Sequence, residues 1–474
     1  MATRFNSIWL YAVGLFLLVL NLAKSDSLPY HFHLKKGYQL IQTEQYQQAI
    51  EVFYQVLELS PCDSSAYYGL GEVYRHQQQL TLAEKSYEQA IGRKIGQELK
   101  GLAYLGLGQV CQKQGKLTKA LDAIKQAAVE LPSSAVVQIT LGEIYTQQRK
   151  FEAAICVYHQ AIQLRTDTAS AEAGLGGVYL LQKRPNRAID CLQEAIRLNP
   201  FTASYYYQLS LAYLLSGQTN QAKQEMKRFA KIKTYQDQVY DYREAIQLAP
   251  QNTYTYVKLA EIHQQVGNLQ GAAEAYQMAV TLRPQFIDGY CRLSQIRIQQ
   301  NLYDCAISHL QDGLRVNPNQ EKLWQILGET AISEQDFSIA IPAYQKLVSI
   351  RPNLWFHWRT LGILYVNTQK LNLALDAFQQ AVQVGENSPQ AHNDLARLYA
   401  GLNRSLVQAV QLAKKAVFLS NEAQYLDTLS YVYYRNGDYS KALQAAQSAI
   451  RLAPDNRQYQ AQLQQIKISL SEPE

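Results

Sequence analysis

Apolar residues along most of the chain recur at intervals of three and four, and short polar stretches interrupt them regularly. In LGEIYTQQRKFEAAICVYHQAIQL, residues 141–164, Leu141, Gly142 and Tyr145 share one face of a helix, and Ala154, Tyr158 and Ala161 share one face of the next. The polar stretch from Gln148 to Lys150 is too short to join anything but two antiparallel neighbours. The segment therefore predicts a helical hairpin in which Gly142 meets Ala154 at the closest approach, with Tyr and Leu filling the space on either side. The same spacing returns thirty-four residues later at Leu175, Gly176, Tyr179 and Ala188, and thirty-four earlier at Leu107, Gly108, Cys111 and Ala120. Prolines keep the register: Pro132 and Pro200 lie two periods apart, and Pro250, Pro284, Pro318 and Pro352 one period each. The chain is a repeat protein.

The repeat resembles the tetratricopeptide repeat family, whose pattern is followed most closely by WRTLGILYVNTQKLNLALDAFQQAV, residues 358–382. Twelve repeats begin near residues 30, 64, 101, 135, 169, 203, 253, 287, 321, 355, 389 and 423. Ser210, Ala260, Ser294, Ala396 and Ser430 replace the first-helix Gly of the pattern with another small residue, and Arg297 replaces its Tyr. The resemblance implies an all-α fold, a right-handed superhelical solenoid of about twelve helix-turn-helix units closed by a C-terminal capping helix. Its first helices would line a groove that holds an extended peptide or a helix. Residues 455–474 fit the cap, with Tyr459, Leu463, Ile466 and Leu470 at helical spacing.

Local chemistry marks the boundaries. Gly115, Gly217, Gly267 and Gly437 fall where a left-handed cap would end a first helix. Two breaks in register stand out: three additional residues near 91–100, expected as a longer loop, and sixteen after Pro200. From Asn220 to Ala249 there is neither Gly nor Pro, which predicts either one long helix, the favoured reading, or two consecutive segments like second helices. The expected organisation is a signal peptide or membrane anchor over 1–25, repeats one to six over 26–234, an inserted helical segment over 235–252, and repeats seven to twelve over 253–454.

Residues 8–23, IWLYAVGLFLLVLNLA, follow Arg4 and end near Ala23 and Ser25, as a cleaved export signal would; an uncleaved anchor is the alternative. An exported or membrane-anchored location follows from that reading, in a periplasmic-type compartment or facing the cytoplasm. Six scattered Cys form no disulfide framework and read as free, mostly packed thiols.

Hydrophobic residues make up 47% and charged residues 18%, with 34 Tyr against 12 Phe, which suits a helical solenoid. No phosphate-cradling Gly loop, metal-ligand spacing or nucleophile with its base can be assembled, so no catalytic residues, metal or cofactor are expected. His31 and His33, the one close His pair, diverge on a helix. Residues 1–234 hold 25 Lys and Arg against 18 Asp and Glu, while residues 235–474 hold 20 against 21. The basic half suits an acidic surface, and Lys223, Lys227, Arg228 and Lys231 are its densest cluster. Aromatic residues do not interleave with these charges, which argues against nucleic acid.

The function expected is a non-enzymatic scaffold that binds a protein or peptide partner and assists assembly of a membrane or cell-envelope complex. A membrane-tethered cytoplasmic adaptor and the substrate-recognition arm of an enzyme complex are the alternatives, with no small-molecule substrate. The residues before the Leu of each first helix, among them Gly69, Gly106, Thr140, Gly174, Gln208, Lys258 and Thr360, follow neither a carboxylate clamp nor an Asn ladder. Leu180 and Leu181, then Tyr207, Leu211, Leu214 and Leu215, then Tyr254 and Val257 occupy groove positions that most repeats fill with polar residues. They form the expected partner-binding stretch, a contiguous apolar patch. Phe356, Arg359, Arg397, Tyr431 and Arg435 form the second choice.

Overall fold

The computed structural model describes residues 31–43 and 45–471. The signal or anchor over 1–25 lies outside them. Among the described residues there are 25 helices and no strand. The chain divides into two compact units, one ending at Asn268 and one beginning at Leu269.

In the amino-terminal unit, α1 (His31–Gln42) pairs with α2 (Tyr46–Leu59), α3 (Ser64–His76) with α4 (Leu80–Ile91), and α5 (Gln97–Lys113) with α6 (Leu117–Glu130). Next come α7 (Ala135–Gln147) with α8 (Phe151–Gln163), and α9 (Thr168–Leu181) with α10 (Pro185–Leu198). The sixth pair joins α11 (Ala203–Leu215) to the long α12 (Thr219–Leu248), and α13 (Thr253–Gln265) closes the unit.

The carboxy-terminal unit opens with α14 (Leu269–Leu282), followed by α15 (Ile287–Gln299) with α16 (Tyr303–Val316) and α17 (Glu321–Ser333) with α18 (Phe337–Ile350). Three further elements follow: α19 (Trp355–Asn367) with α20 (Leu371–Val384), α21 (Pro389–Gly401) with α22 (Leu406–Leu419), and α23 (Ala423–Arg435) with α24 (Tyr439–Leu452). Last is the cap α25 (Arg457–Ser471), whose Ile466 is buried against α23 and α24 while Leu470 stays exposed.

Within each unit, most successive first helices touch, as α7 meets α9, α9 meets α11, and α21 meets α23, whereas successive second helices do not approach as closely. The first-helix layer is thus the inner side of the stack.

The small residues act differently from the expected pairing of Gly142 with Ala154. The atoms facing Gly142 belong to the ring of Tyr158, 2.7 Å from where a Cβ would sit, and Gly174 of the next repeat faces the same ring at 2.4 Å. Tyr158 is therefore clasped between two repeats. Tyr87 lies likewise between Gly71 and Gly106, and Phe53 between Gly37 and Gly69. A flat ring fills each slot because both walls lack a side chain.

Three further features depart from the sequence reading. The additional residues near 91–100 lengthen α5 to 17 residues instead of serving only as a loop, because Gly96 gives an extended N-cap and Glu98 suits the positive end of the helix. Three of the six free thiols, Cys62, Cys156 and Cys305, are exposed, and only Cys111 and Cys291 are buried: the outward faces of second helices and loops need no apolar residue. The left-handed caps at Gly115, Gly217, Gly267 and Gly437 have counterparts without glycine at Gln78, Arg149, Lys183, Asn301, Gln335, Gln369 and Asn403.

The long α12 is continuous for 30 residues, with Ile232, Tyr235 and Val239 buried along its added turns, and stops before Pro250. It packs against α13 through a polar cluster. The Asn268 side-chain amide donates to the Tyr235 hydroxyl at 3.0 Å, leaving that hydroxyl to donate to His263 Nδ1 at 2.9 Å. Burial, with the nearby Arg243 cation, lowers the His263 pKa to about 4, so the imidazole is neutral.

Candidate protein-interaction surface

Among the described residues, no three or more His, Cys, Asp or Glu are grouped to hold a metal ion, and no helix is long and apolar enough to cross a membrane. The chemistry of the chain lies on its first-helix faces.

In the amino-terminal unit, Leu181, Tyr207, Leu214 and Leu215 are 58%, 45%, 52% and 57% exposed. Leu180 and Leu211 are half-buried, Leu180 against the core of repeats four to six. The α9–α11 contact brings these six together. Tyr207 leans on Phe229 of α12, their ring centres 5.6 Å apart. The added turns of α12 do not cover the leucines, because they turn to α13 and to Phe201, whose carbonyl accepts from Gln236 at 3.1 Å.

Tyr254 and Val257 are placed on α13, Tyr254 63% exposed with the Lys258 ammonium over its ring and Val257 half-buried. The close contact between neighbouring first helices does not continue from α11 to α13. Tyr254 and Val257 are thus not joined to the other six by a contact like that between α9 and α11.

The basic cluster on α12 is partly neutralised. Arg228 donates to Glu225 at 2.9 Å and Lys233 pairs with Asp237, while Lys223, Lys227 and Lys231 remain exposed.

The carboxy-terminal unit gathers the second set through α19, α21 and α23. Arg359 reaches across to Asp394 at 2.6 Å, and Arg397 to Asp427 at 3.7 Å. The Arg397 guanidinium also lies 5.9 Å from the Tyr431 ring centre, and Arg435 donates to the Tyr431 hydroxyl at 3.3 Å. Phe356 projects nearby on α19, 43% exposed. Asp427 is nearly fully buried, and that burial pushes its carboxyl above the usual range while Arg397 pulls it back. Beside it the Tyr425 hydroxyl, the Thr428 hydroxyl and the Asn393 carbonyl oxygen are buried without a hydrogen-bond partner. These carboxylates and orphaned polar atoms were missed in the sequence, where Asp394 and Asp427 look like ordinary helix-surface acids. Their one signal is a period of 34 residues between Asn393 and Asp427.

Models described as tetratricopeptide repeat match residues 30–61, 62–128, 139–203, 203–236, 253–286, 321–354, 359–424 and 423–456. No curated protein matches the sequence. Solved structures with a similar fold include the APC/C hetero-tetramer Cut9-Hcn1, at 13% identity over 95% of this chain and 98% of that one, with a TM-score of 0.32. YrrB, titled a TPR protein with an unusual peptide-binding site, is 19% identical over 40% of this chain and 98% of its own, with a TM-score of 0.36. MamA 41-end from Desulfovibrio magneticus RS-1 is 20% identical over 36% of this chain and 97% of its own, with a TM-score of 0.33.

Proposed function

Because the chain belongs to the tetratricopeptide repeat family, whose members serve as protein-interaction scaffolds, we propose that it holds a segment of a partner protein on its first-helix faces and has no catalytic role of its own. The observation that carries this reading is the group formed by Leu180, Leu181, Tyr207, Leu211, Leu214 and Leu215, four of them half exposed on two touching helices of the inner layer. Apolar area left open on an inner face is what an apolar partner segment, such as the face of a helix, would bury. At about 25 cal/mol per Å² the leucines and the Tyr are worth several kcal/mol to a partner that covers them.

The linked Arg, Asp and Tyr side chains on α19, α21 and α23 support a second, polar contact in the carboxy-terminal unit. A scaffold with one apolar and one polar face suits a multi-protein assembly. The apolar residues 8–23 make a membrane or cell-envelope complex the proposed setting, with an exported or anchored location.

A photo-cross-linking residue placed at Tyr207 in the source cell should yield a discrete protein adduct. The same residue at Val129, 70% exposed on the second helix α6, should not. Adducts from position 129 alone would refute the assignment of the face, and Leu214→Glu should abolish the position 207 adduct with helicity unchanged.

A further inference from the structure

At the turn between the two helices of most hairpins, one residue takes a left-handed backbone that favours glycine. Among the described residues, glycine, Asn or Gln fills that place except in the fourth and fifth repeats, where it is Arg149, at φ 58°, and Lys183, at φ 57°. Each is followed by a second cation, Lys150 and Arg184. All four are exposed, and among the described residues none forms an ion pair. By contrast Lys116 and Lys119, one repeat earlier, are held by Glu84 at 2.8 and 2.5 Å. Arg187 adds a fifth exposed cation, its guanidinium 5.7 Å from the Tyr179 ring centre. The exposed carboxylate at these turns is Glu152, which accepts from Gln182 at 3.2 Å. Leu181 and Leu215, the last residues of α9 and α11, project beside the turns.

We propose that this edge of the amino-terminal unit docks on an anionic lipid surface. The cations sit on adjoining, projecting turns, which makes them a ridge and not a groove; a plane of phosphates can meet a ridge, whereas a polypeptide needs walls to hold it. Lipid headgroups also bind cations without fixing their side chains, and the leucines at the helix ends enter the headgroup boundary. Two adjacent turns carry a cation at the left-handed place where other turns carry an uncharged residue. The proposal does not depend on the groove reading, because the turns carry it.

The test is co-sedimentation of the full chain with vesicles of phosphatidylcholine alone and with about one third phosphatidylserine, at low and high salt. Residues 8–23 bind both vesicles alike, so the difference between the two compositions reports the basic surfaces, and its loss on substitution of the four turn cations isolates the edge. The native chain should prefer the anionic vesicles, and the preference should fall with salt. The variant R149Q/K150Q/K183Q/R184Q should lose it, by roughly 600-fold at low salt, given roughly fivefold for each of four cations near an anionic surface. Gln already occupies the left-handed place at Gln78, Gln335 and Gln369, so these turns tolerate it; K150E/R184E, which leaves that place untouched, provides a second route to the same loss. L181S/L215S should weaken binding severalfold. Equal binding of the native chain to both vesicles overturns the proposal, as does a quadruple variant that keeps its helicity and the anionic preference. Binding to polyglutamate as tight as to anionic vesicles, with the leucine pair without effect, would assign the edge to an acidic polymer and overturn the lipid assignment.

Discussion

Gly174→Ala places a methyl group against a ring that cannot retreat. Its Cβ would lie 2.4 Å from Tyr158 Cε1 and 2.5 Å from Cζ, where carbon atoms rest at about 3.5–4.0 Å. The ring would have to move by about 1 Å, and Gly142 closes the other side of the slot. Overpacking of a fixed neighbour costs about 3 kcal/mol, the upper end of the usual range. Alanine recovers about 1 kcal/mol over glycine inside a helix, so the net loss is about 2 kcal/mol. Gly177 is three residues on in the same helix, and the nearest atom to its added Cβ is Gln208 Oε1 at 3.9 Å. Gly177→Ala should then stabilise by up to about 1 kcal/mol. At ~2–4 °C per kcal/mol for a unit of this size, Gly174→Ala should lower the Tm by about 4–8 °C and Gly177→Ala raise it by a few degrees. Thermal unfolding followed by circular dichroism measures both. The added substitution Tyr158→Leu should reduce the cost of Gly174→Ala to below about 1 kcal/mol, a coupling that a double-mutant cycle reads directly. Two substitutions that shift the Tm equally and in the same direction would mean that the ring does not occupy the slot.

His263 makes stability depend on pH. Its folded pKa, about 4, is below the unfolded value of about 6.5, so its contribution is complete above pH ~6.5 and lost as pH falls toward 4. The loss should reach about 3 kcal/mol in urea unfolding of the full chain, and His263→Gln should flatten that part of the profile. In the carboxy-terminal unit, Arg397→Ala leaves Asp427 buried without its cation and should destabilise by about 1–3 kcal/mol, with Asp427→Asn in the same chain restoring part of it; no loss in urea midpoint would show that the pair is not engaged. Ile466→Ala removes the one fully buried side chain of α25 and should cost about 2 kcal/mol, seen as increased hydrogen exchange along α23 and α24. Unchanged exchange there would mean that α25 does not cap the stack.

How far the sequence discloses this structure depends on the range of each interaction. Helices are written locally: Leu141, Gly142 and Tyr145 fix a face whatever surrounds them, and the absence of Gly and Pro after Asn220 leaves one long helix or two in succession, of which the structure has the one. The partner of a small residue is written in space. Spacing alone suggests Ala154 for Gly142, but side chains lean toward the start of their helix and a full turn along it stands Tyr158, the ring that fills the gap. The candidate surface divides in the same way. The apolar character of Leu181, Tyr207, Leu214 and Leu215 is visible in the chain, whereas which first helices touch is settled only by packing. Asp394 and Asp427 disclose their role only once three helices bring Arg359 and Arg397 to them.

The clasped rings also bear on how similar repeats find their proper neighbours. Along the amino-terminal unit the residue that enters each joint and the residue at the receiving register position vary together: Phe53, Tyr87 and Tyr158 face Gly69, Gly106 and Gly174, whereas in the repeats after Ile124 and Leu192 that position holds Thr140 and Gln208. A ring meets glycine, and a branched aliphatic side chain meets a larger residue. The joints therefore work as two kinds of key, each cut for its own kind of lock. If Tyr158 were offered to the repeat that begins at Ala203, its ring would collide with Gln208, and Leu192 offered to Gly174 would leave a void. A chain of near-identical hairpins is prone to stack one repeat out of place, and these pairings give an energetic cost to any order that brings a ring to Thr140 or Gln208. The order of the repeats is thus enforced by their own side chains, and exchanging whole second helices between repeats four and five should scramble the stack although every residue type is conserved.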